Sequence, residues 1–427
     1  MINNIGLTGF ILICIVIFLI FWLLKLSKDQ KRIADALEEN SKSKKKIKVI
    51  KFTRTLLIAL MMTLATQAGA DNILTGSAGS KLKGEVVSSF AEPWAMSFID
   101  ENNLLVTTKS GRLWLVNTNG EQSLVLGVPK VFAGGQGGLG DVVLHPNFGQ
   151  NRLIYISYID SEDAGKTRFA SVVRGTLQRS DSAYLNNIET IWRQTPARSQ
   201  GHFSHRLAFG LDGTQHAGKL FITSGDRQEL TPAQKWDTAL GKLIRLNDDG
   251  TIPNDNPFQD KGDLAKTFWT VGHRNALGIA FDKNGQLWAN EMGPKHGDEF
   301  NLIVAGANYG WPIVSEGNHY NGAEIPAHQT RPDFMAPKLY WVPTVAPSGL
   351  IFYDGDEFSE WNGNAFMGGL RSKALVRIGF NDEEPFEAER FSWSQRVREV
   401  EMDHDGAIWV LEDGPAGRLI KFTKPNE

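Results

Sequence analysis

FDKNGQLWANEMG (281–293) and MDHDGAIWVLEDG (402–414) are two copies of one local pattern. Each runs from an Asp through Asn-Gly or Asp-Gly into a short stretch of Leu or Ile, Trp and small or branched apolar residues. Such a pair followed by such a stretch predicts a tight turn feeding a β-strand. The pattern returns at DENNLLV (100–106) with SGRLWLVN (110–117) and at LDGTQHAGKLFITSGD (211–226), and GRLIKF (417–422) follows the last copy. The copies lie roughly 60–120 residues apart, too far for a β-helix.

Around these copies the chain is rich in turn formers and aromatics. It has 43 Gly among 427 residues, 24 Phe and 12 Trp. That glycine share exceeds the usual ~7%. No stretch of helical period as long as 12 residues follows residue 71. Repeated turn-strand units suggest propeller blades of four strands, with a sandwich as the rival. About 340 residues at roughly 55 per blade allows six. The expectation for 71–427 is an all-β, six-bladed β-propeller, with function gathered where loops from every blade meet at one end of the channel.

The first seventy residues differ. They carry 11 Lys and Arg against 4 Asp and Glu; taken from totals of 45 and 48, this leaves 34 against 44 for the remainder. LTGFILICIVIFLIFWLLKL (7–26) is apolar apart from Thr8 and Lys25, and twenty helical residues span ~30 Å, a bilayer core. Residues 1–48 therefore read as a transmembrane helix followed by a linker ending in the basic run KSKKKIK. Next, Lys48, Lys51 and Arg54 precede TLLIALMMTLATQAGA, ending in Ala68-Gly69-Ala70. A basic region, a short apolar core and a small-residue site read as a signal peptide over 49–70, cleaved before Asp71. Either residues 1–48 are a real membrane segment, or the true start lies near Val49. Both readings place 71–427 in the periplasm or otherwise outside the cytoplasm, with a membrane tether under the first. Cys14 is the single cysteine, which excludes a disulfide scaffold and a Cys-based metal centre. A net charge of -3 argues against nucleic acid as a partner.

Several residues could carry chemistry. His202 and His205 stand in SQGHFSHRLAFG (199–210), just before an apolar strand. His202 is a general base with a pKa near neutrality, or an ordinary loop histidine. Asp226 ends the strand FITSGD; it can orient a histidine or simply make a turn. Arg274-Asn275 occupies a turn before LGIAF, and Met292-Gly293-Pro294 makes another, with Asp298 and Glu299 close behind. Outward carbonyls plus carboxylates are hard oxygen ligands suited to Ca²⁺. Arg396 and Arg398 alternate in QRVREV and share a face. They repel unless an anion or carboxylate lies between them; as surface residues they need neither. Arg371 adds a third cation, and three around a cavity suit a small polyanion. Gln136 lies in AGGQGGLGDVVLHP (133–146), which lacks the Gly-Lys-Ser/Thr of a phosphate loop. Its glycines are expected to let the backbone approach a flat ligand.

GGQGGLGDVVLHPNF, HFSHRLAF, SGD, GHRNALGIAFDKNGQLWANEMGP, GDE followed by NYGWP, and RVREV occur in this order. Together they resemble the soluble sugar dehydrogenases dependent on pyrroloquinoline quinone (PQQ), the glucose/sorbosone dehydrogenase family, in its aldose sugar dehydrogenase branch. The resemblance covers nearly all of 85–423. It implies oxidation of an aldose at its anomeric carbon to a lactone, by hydride transfer to PQQ, and an external electron acceptor. It implies His202 as general base and Asp226 as its orienting carboxylate. It places Gln136 beside cofactor and sugar, and Arg274, Asn275, Arg396 and Arg398 on PQQ. Gly293 and Pro294 would bind the calcium on PQQ through carbonyls, and Glu299 and Tyr309 a second, structural calcium. Arg371 stands where the family usually has lysine, with Lys373 as a substitute. His205 stands where a small residue is common, so the two histidines could exchange roles. Gly201 replaces an acid that touches sugar in the glucose-specific branch. Two rivals remain: a calcium-dependent lactonase-type hydrolase, which needs acidic and Asn ligands at the channel centre, and an exported binding module without catalysis.

Overall fold

β1 (Asn72–Thr75) and β2 (Lys81–Phe90) open the ordered description of the chain. The computed structural model describes residues 72–180 and 182–425. The expected membrane helix, linker and signal peptide (1–70) lie outside the described residues. Among the described residues, no helix is long and apolar enough to cross a membrane.

The remaining strands come in antiparallel runs. The first is β3 (Pro93–Asp100), β4 (Asn103–Thr108), β5 (Arg112–Asn117) and β6 (Gln122–Leu126). The second is β7 (Leu139–Leu144), β8 (Leu153–Asp160), β9 (Phe169–Arg179) and β10 (Ala183–Arg193). The third is β11 (Ser204–Phe209), β12 (Lys219–Ser224), β13 (Lys242–Asn247) and β14 (Phe268–Val271). The fourth is β15 (Ala276–Phe281), β16 (Leu287–Glu291), β17 (Asp298–Leu302) and β18 (Leu339–Trp341). The fifth is β19 (Pro347–Phe352), β20 (Ala365–Gly369), β21 (Ala374–Asn381) and β22 (Glu384–Ser392). The last run has β23 (Val397–Met402), β24 (Ile408–Glu412) and β25 (Gly417–Thr423), and β2 pairs antiparallel with β25 as its fourth strand. The first strands of successive runs touch in order, and β23 returns to β3, so the inner strands close a ring. This is a β-propeller arrangement. A two-residue parallel pairing of β6 with β10 also links the outer edges of the first two runs.

Apolar clusters fill every seam. Leu105 and Leu113 meet Ile154 and Ile156; Ile159 and Val172 meet Leu220 and Ile222; Phe221 meets Leu287. Trp288 and Phe300 meet Met367, Phe366 meets Val410, and Trp409 meets Leu104 and Val106. Each buried side chain of this size contributes about 1.5–3 kcal/mol.

The two sequence copies fold identically. Asp282 Oδ1 accepts from the N–H groups of Asn284 and Gln286, both at 2.9 Å, and Oδ2 accepts from Trp288 Nε1 at 3.2 Å. Asp403 Oδ1 accepts from Asp405 and Ala407 N–H, and Oδ2 from Trp409 Nε1 at 2.8 Å. Gly285 and Gly406 take positive φ, 76° and 87°, at the turn. One carboxylate thus ties the turn to an indole six residues on, which fixes where the next strand starts. The irregular spacing of the copies comes from long loops, such as 303–338 between β17 and β18.

Candidate active site

The loops entering and leaving the inner strands at one end surround a cavity of about 500 Å³. Of the residues singled out in the sequence, Gln136, His202, Arg274, Asn275, Gly293, Pro294, Arg371, Arg396 and Arg398 line it, with His205 and Asp298. Asp226 stands behind His202. Glu299 and Tyr309 line an adjoining small cleft with Arg274, Gly293 and Pro294.

His202 Nδ1 lies 2.7 Å from Asp226 Oδ1, and its backbone N–H donates to Gln136 Oε1 at 2.7 Å. Asp226 is fully buried. Trp311 Nε1 donates to its Oδ2 at 2.7 Å, and the Gln228 N–H to Oδ1 at 2.8 Å. Burial pushes the Asp226 pKa up, but these donors and His202 outweigh it, so the carboxyl sits below its ordinary value. Burial pushes His202 down, Asp226 opposes and Arg274 assists; the result lies below the ordinary imidazole value. His202 is thus held toward its neutral form, with its ring lining the cavity.

The backbone here is held in an unfavourable region. His202, Ser204 and His205 have φ of 47°, 59° and 58°, and the facing Arg227, Gln228 and Leu230 have 56°, 61° and 63°. Residues with side chains cost about 1–2 kcal/mol each in this region. Arg227 restrains the loop. Its guanidinium donates to the carbonyls of Gly201 (3.0 Å), Arg168 (2.6 Å) and Ser199, and lies 3.6 Å over the Phe203 ring. Gly201 is also hemmed in: a Cβ there would meet the Gln228 amide at 2.9 Å.

His205 has a different environment. It is buried, bonds Ser157 Oγ at 2.7 Å through Nδ1, and stacks on Trp94 at 4.9 Å. Burial, with Arg206 and Arg227, pushes it down to about 3. His205 also lines the cavity, but the carboxylate partner belongs to His202.

The arginines are not all unpaired. Arg396 donates to Asp413 Oδ2 at 2.6 Å, while Arg398 Nε and Nη2 donate to Oδ1 at 3.1 and 2.9 Å. One carboxylate therefore separates the two cations, leaving a net positive charge on the wall. Arg396 immediately precedes β23 rather than lying within it. Arg371 lines the cavity, whereas Lys373, two residues on in the same turn, lies outside its lining. Arg274 donates to the Met292 carbonyl at 2.9 Å, and its buried Nε has no partner.

Gly135 and Gln136 line the cavity, and the glycines of 133–146 also let this loop pack closely on its own neighbours. At Gly135 (φ 58°) a Cβ would meet the Gln200 carbonyl at 2.4 Å, and at Gly140 the His205 ring at 2.0 Å.

The Gly293-Pro294 turn is shaped by Asp298, which accepts from Gly293 N–H (2.9 Å), Val345 N–H (2.7 Å), Ala346 N–H (2.7 Å) and Thr344 Oγ1. Asp298 is thereby occupied within the fold. Glu299 is not: Asn301 donates to it at 3.1 Å, while burial, Glu291 and Glu316 push its pKa well above the ordinary value. Tyr309 donates its hydroxyl to the Leu302 carbonyl at 2.6 Å, and its backbone carbonyl lies 3.2 Å from His328 Nε2. Among the described residues, no three His, Cys, Asp or Glu side chains gather closely enough to hold a metal. A cation here would need main-chain carbonyls.

A profile of the glucose/sorbosone dehydrogenase family matches residues 90–421. The chain belongs to this family. It is 39% identical to the aldose sugar dehydrogenase YliI of Escherichia coli over 345 residues, which cover 78% of this chain and 90% of that protein. It is 30% identical to quinoprotein glucose dehydrogenase B of Acinetobacter calcoaceticus, over 77% of this chain and 73% of that one. The crystal structure of the E. coli aldose sugar dehydrogenase in its apo form superposes with a TM-score of 0.75 at 37% identity, covering 81% of this chain and all of that one. The chain is thus an enzyme of the sugar dehydrogenase type.

Sequence reasoning missed Asp413, Trp94 and Trp311. Asp413 follows a strand in VLEDG, and the repulsion of the arginine pair already called for a carboxylate. Trp94 lines the cavity, with the Arg206 guanidinium 4.0 Å over its ring. Arg206 is itself buried between Asp141 (3.5 Å) and Glu399. Trp311 sits in NYGWP, whose only visible signal was its place in the family pattern.

Proposed function

We propose that this six-bladed propeller oxidises aldose sugars at the anomeric carbon to lactones, using PQQ and Ca²⁺ and passing electrons to an external acceptor. The observation that carries this is the His202–Asp226 pair opening onto a cavity whose other wall is lined by guanidinium groups. A quinone bearing three carboxylates suits that wall: Arg274 has an orphaned buried Nε, and the excess charge of Arg371, Arg396 and Arg398 calls for an anion. About 500 Å³ is within the range of small-molecule sites. The quinoprotein among its relatives supports the same cofactor.

Bound PQQ supplies the two-electron acceptor that no side chain can provide, with calcium beside it as a Lewis acid. Gln136, Asn275, Arg274, Arg371, Arg396 and Arg398 would hold the cofactor. The Gly293 and Pro294 carbonyls would hold its calcium. Glu299, whose buried carboxyl a cation would ionise, and the Tyr309 carbonyl would hold a second. His202 acts on the sugar. Its neutral ring accepts the anomeric hydroxyl proton at Nε2, and Asp226 stabilises the imidazolium that forms. The fixed loops on both sides hold the imidazole in place, which lowers the entropy cost of reaction.

The mature catalytic domain would be 71–427, exported to the periplasm behind the 49–70 signal, with any tether supplied by 1–48. The test is to load the protein with PQQ and Ca²⁺ and follow reduction of an artificial dye across a panel of aldoses. Saturable PQQ binding and sugar-dependent reduction are expected; failure of both would leave the binding-module reading.

A further inference from the structure

We propose that Trp311 is the third member of the His202–Asp226 pair, a positioning residue that decides which nitrogen of His202 is free to accept a proton. This rests on reading His202 as the base. Asp226 Oδ2 accepts from Trp311 Nε1 at 2.7 Å, and Oδ1 accepts from the Gln228 backbone N–H at 2.8 Å while facing His202 Nδ1 at 2.7 Å. An indole N–H and a backbone N–H can only donate. Both carboxyl oxygens therefore accept from a fixed donor, which favours the ionised form of Asp226. A carboxylate has no proton to give, so the hydrogen between it and His202 must ride on Nδ1. Nε2 then presents a lone pair to the cavity. A protonated or rotated Asp226 could donate to Nδ1 instead, and Nε2 would carry the hydrogen and lose its basicity.

Trp311 is well anchored for this task. It is 4% exposed and packs with Ala233 and Ile325. Its backbone N–H donates to the Gly272 carbonyl at 3.0 Å, and its backbone carbonyl accepts from Gln234 Nε2 at 2.7 Å. Gln234 is fixed in turn by Asn308, its Oε1 accepting from Asn308 Nδ2 at 2.7 Å. The long 303–338 loop of the fourth run thus reaches the third run and delivers one indole to one carboxylate. The Arg274 guanidinium lies 5.3 Å over the same ring, so Trp311 meets a cation on its face and an anion at its edge. Both geometries suit an aromatic ring with a polar N–H.

The experiment reads the imidazole ¹⁵N resonances of ¹⁵N-histidine-labelled, cofactor-free protein, with kinetics on the loaded enzyme. In the wild type His202 is expected to carry its hydrogen on Nδ1. Trp311→Phe keeps the ring and loses the N–H. It is expected to raise the Nε2–H population and lower kcat about tenfold, as loss of a hydrogen bond to a charged group does, with KM changed less than about twofold. Asp226→Asn should give the Nε2–H form by itself, and adding Trp311→Phe to it should change kcat by less than about twofold. A wild-type ring protonated on Nε2 overturns the proposal without any variant having to fold. So does an unchanged tautomer in Trp311→Phe, or a loss that adds in full on Asp226→Asn, as a packing defect would. The tautomer is read without cofactor. A wild type that fails to oxidise aldoses would remove the dehydrogenase reading and leave this measurement to decide the role of Trp311.

Discussion

Asp413→Asn removes the charge shared by Arg396 and Arg398 while keeping the side chain's volume. The two cations are not equally affected. Arg396 has a side chain 48% exposed, so water screens it and its bond contributes about 0–1 kcal/mol. Arg398 is only 12% exposed and gives two donors to the same oxygen. A hydrogen bond to a charged group is worth about 1.5–3 kcal/mol, and the asparagine carbonyl would keep a weaker neutral version. The expected loss is about 3 kcal/mol in the ligand-free protein. At about 2 °C per kcal/mol for a chain of this size, Tm should fall about 6 °C in differential scanning calorimetry. Saturating PQQ with Ca²⁺ should recover more Tm in the variant than in the wild type, because its carboxylates replace the missing anion. An unchanged Tm, or the same PQQ-induced increment in both proteins, would refute the reading that Asp413 and the ligand's carboxylates act on the same two cations.

His202→Ala is expected to lower kcat about 10²–10⁴-fold with the PQQ Kd from equilibrium dialysis unchanged; full turnover would place the base elsewhere. The pH profile has a definite sign. The His202 pKa is depressed and the active form is the neutral ring, so kcat/KM should be full above that pKa and fall as pH drops through it, with the acidic limb below 6.5. Asp226 opposes the depression, so Asp226→Asn should shift the limb further toward acid; a shift toward alkali would contradict the assignment. Asp403→Ala strips the partner from a fully buried Trp409 indole and from three other donors. It should cost about 3 kcal/mol, read as a lower guanidinium midpoint at unchanged m-value. Chelation of calcium should weaken PQQ binding at least about tenfold and reversibly; binding insensitive to chelator would argue against the carbonyl site at Gly293-Pro294.

The fold was legible where one residue type does one job. The Asp–Gly–Trp turns announce themselves because a carboxylate, a positive φ and an indole must recur at fixed offsets. β16 and β24 are buried throughout and lack alternation, so the turn before each, rather than a period of two, marked them as strands. The closing strand β2 was invisible, because nothing local says that Lys81–Phe90 pairs with Gly417–Thr423. In the site, residues with unusual chemistry in loops were found. Their supports were not: Asp413, Trp311 and Arg227 act across 15 to 85 positions. Such partners are set by how the runs pack. The close neighbours of Gly135 and Gly140, Gln200 and His205, are hidden for the same reason, being distant in sequence.

The pairing of β2 with β25 has a temporal side. Lys83 faces Thr423 and Phe90 faces Gly417 across the seam. A polypeptide emerging from its amino end therefore carries one half of a clasp long before the other half is made. Until then, the exposed edge of β2 is an open invitation to foreign strands. Joining ends so far apart in sequence is entropically slow, which makes this closure the pairing that loop entropy delays most.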